Sequence, residues 1–380
     1  MTVQGCAVTR LRLHHFRNYA ETTLHLGPGI NVLAGRNAQG KTNLLEAVAT
    51  LALTRSPRAP TATDLLEWGC TRCQLEATLL RGSVTCDITA RFETGDGGRT
   101  TRTLTVDGNP RQPRAVLGLC PVVLFWPEDL QLVKAGPEGR RRMLDTLLAQ
   151  LDPRVGMHLA RYRRVVEQRN ALLHQLRIDG RGGEALHGFT EELVQHAAPI
   201  VVARMQLVAS LQPLAADALD RVSGGAERLE LRYVSTMDVT SADAESVTGA
   251  MTAALRRRAT EEEARGLTLV GPHRDDVEIY LDGRRARHTA SQGQQRSIVL
   301  ACKLAEMQHV SEATGHTPVV LLDDVLSELD PARRRDLVAA LADGAGQVLV
   351  TTTEPLPDVA LFASARHFTV QRGMVAESAD

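Results

Sequence analysis

The 380-residue sequence predicts an α/β fold: a mixed sheet with flanking helices, a small β subdomain, and an α-helical insertion. Three observations lead there. Gly35-Arg36-Asn37-Ala38-Gln39-Gly40-Lys41-Thr42 is a full G-x-x-x-x-G-K-[ST] loop, with a short apolar strand before it (Ile30 to Ala34) and a helix opening at Asn43 after it. Val319-Val320-Leu321-Leu322-Asp323-Asp324 reads as a buried parallel strand that delivers two carboxylates at its C-terminal edge. Between these, from Glu138 to about Leu219, the pattern turns helical and rich in arginine.

In order, Val8 to Leu13 alternates like a half-buried strand, with Phe16-Arg17-Asn18-Tyr19 as its exit and strand character again at Leu24-His25-Leu26. Gly27-Pro28-Gly29 turns the chain into the strand before the glycine loop. Cys73–Leu80, Ser83–Phe92 and Thr101–Val106 alternate like antiparallel strands, with turns at Arg81-Gly82 and Gly95 to Gly98, and form the β subdomain. Val122 to Phe125 is a further short buried strand. The helical stretch breaks at Asp152-Pro153 and around 179–183; Arg161, Arg164 and Gln168 share one face of it, with Leu159, Tyr162, Val166 and Leu173 on another. Leu229 to Tyr233 reads as a strand, Ser246 to Glu263 as a helix, and Leu267 to Val270 as a return to strand. Residues 1–125 are expected to form the N-terminal part of a nucleotide-binding head, 126–266 the insertion, and 267–380 the C-terminal part of the head.

A chain this long exceeds one comfortable core, in keeping with two domains or a large insertion. Lys plus Arg at 44 against Asp plus Glu at 45 gives a net charge of −1, which excludes a uniformly basic coat, so any DNA contact must be a local patch. Aromatic content of 3% argues against a base-stacking platform. With no apolar run of about 18 residues and no leader pattern, a cytoplasmic protein without a membrane partner is expected. Of six scattered cysteines, Cys70 and Cys73 form a C-x-x-C, but no second ligand pair lies at usable spacing, so ordinary reduced thiols are expected.

The glycine loop should hold a nucleoside triphosphate. Gly35 and Gly40 let backbone N–H groups turn inward around a phosphate, and the following helix adds the partial positive charge of its N-terminus. Lys41 is placed to reach the β and γ phosphates, and Thr42 to share a Mg²⁺ with Asp323, while Asp324 orients or deprotonates the attacking water. Ser291-Gln292-Gly293-Gln294 opens a long helix with a capping-box pattern between Ser291 and Gln294. In ABC-type ATPases such a signature binds the γ-phosphate of a nucleotide held by the opposite subunit. Ser327-Glu328-Leu329-Asp330-Pro331 resembles their D-loop. Thr351-Thr352-Thr353 stands where many of them carry a switch histidine, and Asp324 where Glu is more usual; both departures suggest slow hydrolysis.

The sequence at this point resembles the RecF family of bacterial DNA-repair ATPases. Leu11-Arg12-Leu13-His14-His15-Phe16-Arg17-Asn18-Tyr19 is similar to its N-terminal signature, as are Phe125-Trp126-Pro127-Glu128-Asp129-Leu130-Gln131-Leu132-Val133 and the following Arg140-Arg141-Arg142. Gly271-Pro272-His273-Arg274-Asp275-Asp276 matches its most distinctive hexapeptide. The resemblance implies an ABC-type head like those of SMC proteins with a short helical arm. It implies ATP and Mg²⁺ as cofactors, ATP-dependent homodimerisation on DNA, slow DNA-stimulated hydrolysis, and action at single-strand gaps and ss/ds junctions. It also implies work with RecO and RecR to load the RecA recombinase in repair, replication restart and the SOS response. Arg140, Arg141, Arg161 and Arg164 are the candidate DNA contacts. Three alternatives remain: a transporter's nucleotide-binding subunit, which would need neither the arginine-rich insertion nor the hexapeptide; a small-molecule kinase, against which the signature argues; and an SMC-like tether, whose arms a helix of about 25 residues, roughly 38 Å long, would not supply.

Overall fold

The computed structural model describes residues 5–180, 183–344, 346–353, 362 and 364–378; within these, the side chains of 183, 184, 328, 332, 343 and 344 are not described. The chain divides into two compact units, one of residues 1–130, 217–226 and 296–380, the other of residues 131–216 and 227–295.

The first unit opens with β1 (Cys6–Phe16) and β2 (Tyr19–His25), followed by β3 (Ile30–Ala34) and α1 (Lys41–Leu53). Then come β4 (Arg72–Arg81), β5 (Val84–Thr94), β6 (Thr100–Val106), β7 (Asn109–Pro110) and β8 (Val122–Phe125). The expected subdomain is an antiparallel sheet of order β2-β1-β4-β5-β6-β7. Its alternation is the cause: on β4, Cys73, Leu75, Ala77 and Leu79 are buried while the residues between them are not. The second sheet takes β8 and β3 from here and completes itself from the end of the chain.

The chain continues with α2 (Gln131–Lys134), α3 (Pro137–Leu151), α4 (Pro153–Asp179), α5 (Gly183–Ser223), β9 (Leu229–Val234), α6 (Ala244–Arg265), β10 (Asp276–Leu281), β11 (Arg284–Arg285) and α7 (Ala286–Thr289), all in the second unit except residues 217–223 at the end of α5. Asp152 ends α3 and caps α4, its carboxylate accepting from the Arg154 amide, with Pro153 at the first helical position. On α4 the buried stripe is Val155, Tyr162, Val165, Arg169 and Leu173, while Arg161, Arg164 and Gln168 are exposed. The part of α5 from Ala185 to Ser223 is long and apolar enough to cross a membrane by composition alone. Leu193, Ala197, Ile200 and Val201 of this helix instead join Tyr162, Val247, Met251 and Val270 in the unit's core.

The remaining elements are α8 (Gln292–Thr314), β12 (Val319–Asp323), α9 (Val325–Glu328), α10 (Pro331–Gly344), β13 (Gln347–Thr352), β14 (Arg366–Gln371) and β15 (Met374–Glu377). The second sheet has the order β15-β14-β3-β13-β12-β8, parallel except for β15. Eleven of the thirteen residues of α1 are buried, so α1 has no polar face and sits inside a core that both sheets share.

Two expectations are corrected. Leu267–Val270 is not a strand: the Thr268 amide donates to the Asn170 side chain and the Leu269 amide to Glu262, so side chains take the places a neighbouring strand would. Residues 267–295, expected in the head, belong to the helical unit, because β10 pairs with β9 from Asp276↔Val234 to Leu281↔Leu229. Residues 126–130 and 217–226 fall with the head instead.

Candidate nucleotide site

The parallel order β3-β13-β12 sets the C-terminal ends of three strands side by side, and all the expected groups of the head's site hang from those ends. Gly35 leaves β3 with its N–H on the Thr352 carbonyl at 3.1 Å, and a Cβ there would stand 2.3 Å from the Val370 carbonyl oxygen. Gly40 has φ +113°, open to glycine, and a Cβ would stand 2.6 Å from Asn18 Nδ2 and 2.7 Å from Tyr19 Oη. Gly40 is also the N-cap of α1 and contributes no side-chain cap, so the first turn presents backbone N–H groups.

Lys41 is buried, and its Nζ donates to the Gly35 carbonyl at 2.6 Å and to Arg36 at 3.0 Å. Burial lowers its pKa, while Asp324 and then Asp323 oppose the shift. Thr42 Oγ1 donates across 281 positions of chain to the Asp323 carboxylate, 2.8 Å from Oδ1 and 2.9 Å from Oδ2. The β12–β13 register pairs Asp323 with Thr351, whose Oγ1 donates to Asp323 Oδ1 at 2.8 Å and accepts from the Asp324 amide at 2.9 Å. Burial raises the Asp323 pKa, and the bonds from Thr351 and Thr42 oppose it. Asp324 has φ +52°, left-handed for a non-glycine residue, where the chain leaves β12 for α9. The hydroxyl of Thr42 against the buried Asp323 carboxylate, with the Lys41 ammonium on the same loop, is the donor set that a Mg²⁺–triphosphate requires.

Arg36, Asn37 and Ala38 form the exposed crest of the loop; Gln39 is fastened from outside it. Asn18 Nδ2 donates to the Gln39 carbonyl at 3.0 Å, Tyr19 Oη to the Gly40 carbonyl at 3.0 Å, and the Arg372 amide to Gln39 Oε1 at 2.9 Å. Behind them Arg17 makes two bonds to the fully buried Glu46 of α1, at 3.0 and 2.7 Å. Periodicity reads Phe16 to Tyr19 only as the exit of a strand; the one sequence signal for these supports is their place in the family's N-terminal signature.

The other candidates divide. Ser291 and Gln294 close the expected capping box: the Ser291 amide donates to Gln294 Oε1 at 2.8 Å, and the Gln294 amide to Ser291 Oγ at 3.2 Å. With Gln292 and Gly293 they start α8 in the helical unit. In the D-loop stretch, Ser327 Oγ donates to the Asp324 carbonyl, and Asp330 pairs with Arg333 at the start of α10. The side chain of Glu328 lies outside the described residues.

Arg140 is not a surface contact. It is buried, bonded to both oxygens of Asp276 at 2.8 and 2.9 Å and to the Leu132 and Ala135 carbonyls, so four of its five N–H donors are spent inside the protein. Arg141 spends a donor on the Asp275 carbonyl at 2.7 Å. Arg161 and Arg164 are exposed on α4, and neither forms an ion pair among the described residues.

The hexapeptide is a hub of the helical unit. Asp275 is buried and accepts from Tyr233 Oη at 2.6 Å, the Thr236 amide at 2.9 Å and the Ser235 and Thr236 hydroxyls at 3.2 Å each. His273 receives the Tyr162 hydroxyl on Nδ1 at 2.6 Å and directs Nε2 to the Thr268 carbonyl at 3.1 Å; burial lowers its pKa to about 4.

The family model described as "RecF/RecN/SMC N terminal domain" matches residues 7–356. The DNA replication and repair protein RecF of Symbiobacterium thermophilum is 43% identical over 375 residues, covering 97% of this chain and 97% of that protein. The chain belongs to the RecF family. Two solved structures are similar over 99% of this chain: "recombination mediator protein RecF-ATPrS in RecFOR pathway", with a TM-score of 0.89, 29% identity and 99% of that chain covered, and the RecF-ATP counterpart, with 0.86, 30% and 98%. The fold is therefore the ABC-type head with a helical unit that the RecF family shares, and membership sets aside the transporter-subunit and kinase readings.

Proposed function

We propose that this chain is an ATP-dependent DNA-binding switch of recombinational repair. The observation that carries the proposal is Thr42 Oγ1 set on the Asp323 carboxylate, with Thr351 holding that carboxylate from behind. Lys41 and the open N-terminus of α1 bind the triphosphate of ATP, and Thr42 with Asp323 hold Mg²⁺. The metal, when bound, neutralises charge on the phosphates. Asp324, one residue beyond the strand, orients the attacking water and accepts its proton. Ser291, Gln292, Gly293 and Gln294 of a second copy complete the γ-phosphate site, with Ser327, Glu328 and Asp330 at the seam, so ATP favours a homodimer. Slow turnover, stimulated by DNA, then times release.

DNA is bound through a local patch that includes Arg161 and Arg164, in keeping with the net charge of −1. In this reading the chain acts in the cytoplasm at single-strand gaps and ss/ds junctions with RecO and RecR, upstream of recombinase loading, replication restart and the SOS response; the RecFOR pathway named for the two solved relatives supports the repair role and the RecO and RecR partners. Sizing the full chain with ATP or ADP, with and without gapped DNA, tests this. ATP alone is expected to produce the dimer, and Lys41→Arg, which exchanges a compact ammonium for a planar fork, to prevent it. Equal dimerisation with ADP, or by Lys41→Arg with ATP, overturns the proposal.

A further inference from the structure

Away from the nucleotide loop, two segments of the head are laced together by backbone. Phe16 and Leu66 form an antiparallel bridge, the Glu67 amide donates to the His15 carbonyl at 2.8 Å, and the Arg17 amide donates to the Leu65 carbonyl at 2.9 Å. The Cys70 amide then closes a turn on the Glu67 carbonyl at 3.0 Å. This framework brings three side chains to one point. His15 Nδ1 lies 2.6 Å from Glu67 Oε2 and 3.4 Å from Cys70 Sγ, and Sγ lies 3.9 Å from Oε2. They are the only such His/Cys/carboxylate group of three among the described residues.

We propose that His15, Glu67 and Cys70 form a binding site for Zn²⁺. Nitrogen, carboxylate oxygen and thiolate are the donors this ion takes, at about 2.0–2.1, 2.0–2.2 and 2.3 Å. A tetrahedron with those bond lengths has edges of roughly 3.3–3.6 Å, so the two edges to sulfur already fit within a few tenths of an ångström. Only the His15–Glu67 edge must open, by roughly 0.7 Å, which a carboxylate rotation supplies. The His15 and Glu67 side chains are 37% and 27% exposed, which leaves a side open to water as a fourth ligand. The C-x-x-C spacing is not the origin of the site: Cys73 is 1% exposed and turned into the core on β4. The carboxylate comes instead from the same turn as Cys70, and the histidine from a segment 55 positions earlier that spacing does not connect to it.

The site does not depend on the nucleotide reading, and its test uses metal alone. Full-length protein is stripped with chelator under reducing conditions, titrated with Co²⁺, and then with Zn²⁺ as competitor. One Co²⁺ per chain is expected, with the absorption of a four-coordinate ion and a thiolate-to-cobalt charge-transfer band, displaced by Zn²⁺. Cys70→Ser should abolish that band. His15→Gln and Glu67→Gln should each weaken binding by about tenfold or more, since changes even beyond the ligands reach that scale. Cys86→Ser, on β5 outside the group, should change nothing. Absence of stoichiometric binding, a spectrum without the charge-transfer band, or a band that survives Cys70→Ser would overturn the proposal. Each variant's unfolding midpoint without metal shows that the fold is kept, so a loss of the band reports the ligand set.

Discussion

Thr351 offers the sharpest perturbation of the head, because its single hydroxyl makes two bonds at the floor of the nucleotide site. It donates to Asp323 Oδ1 at 2.8 Å and accepts from the Asp324 amide at 2.9 Å, in a side chain that is 1% exposed. Thr351→Val keeps the shape and the β propensity and removes only the hydroxyl. A bond to a charged acceptor is worth about 1.5–3 kcal/mol, and a half-buried amide left without a partner costs toward the low end of about 1–3 kcal/mol; the two share one group, so about 2–4 kcal/mol of destabilisation is expected. The chemistry should move as well. Burial raises the Asp323 pKa and the Thr351 bond opposes it, so without that bond the carboxylate protonates at higher pH. The acid limb of ATP hydrolysis should therefore shift upward in Thr351→Val and return in Thr351→Ser, which restores the hydroxyl. The assays are denaturant unfolding and phosphate release against pH at saturating ATP. Wild-type stability and an unmoved acid limb in Thr351→Val would refute the reasoning.

The two carboxylates of the site should separate by role: Asp324→Asn keeps ATP-driven dimerisation and slows phosphate release, whereas Asp323→Asn loses both, and a wild-type release rate in Asp324→Asn would pass the water-positioning role to Glu328. Arg161→Ala with Arg164→Ala should flatten the slope of log K for DNA against log salt by about 2, one for each lost phosphate contact, and an unchanged slope would place DNA elsewhere. Arg140→Ala should leave that slope alone and cost about 3 kcal/mol of stability, because it strands the partner of a buried ion pair; equilibrium unfolding measures this. His273 carries a pH signature: with its pKa lowered from 6.5 to about 4 it stays neutral when folded, so its contribution is full above pH 6.5 and is lost as pH falls toward 4, by at most about 3 kcal/mol. Unfolding free energy measured across that window should fall less steeply in His273→Gln, and an equal slope would contradict its buried, neutral state.

The sequence alone determined what local pattern encodes. The glycine loop with its strand and helix, the apolar strand ending in Asp323 and Asp324, the alternating hairpins from Arg72 to Val106, and the capped α4 and α8 all follow from period, turn chemistry and caps within a few residues of one another. Tertiary structure decided which side chains meet. Parallel pairing of β12 and β13 set Thr351 on Asp323, a contact with no signature in the sequence, while the order of the sheet made a direct bond of Thr42 and Asp323, which the two motifs predict only as partners of one Mg²⁺. The arginines make the same point. Arg140 and Arg161 are alike as letters, yet one is a buried clamp on Asp276 and the other an exposed cation, because the strand β10 that supplies Asp276 arrives from 136 positions away. The same holds for Leu267–Val270, whose apolar run reads as a strand until Asn170 and Glu262 take its amides, and for Cys70, whose neighbours are a histidine 55 positions earlier and a glutamate one turn back. Patterns in sequence report the faces of elements; the partners of those faces are fixed only when distant segments pack, since burying a polar group requires a partner wherever along the chain it originates.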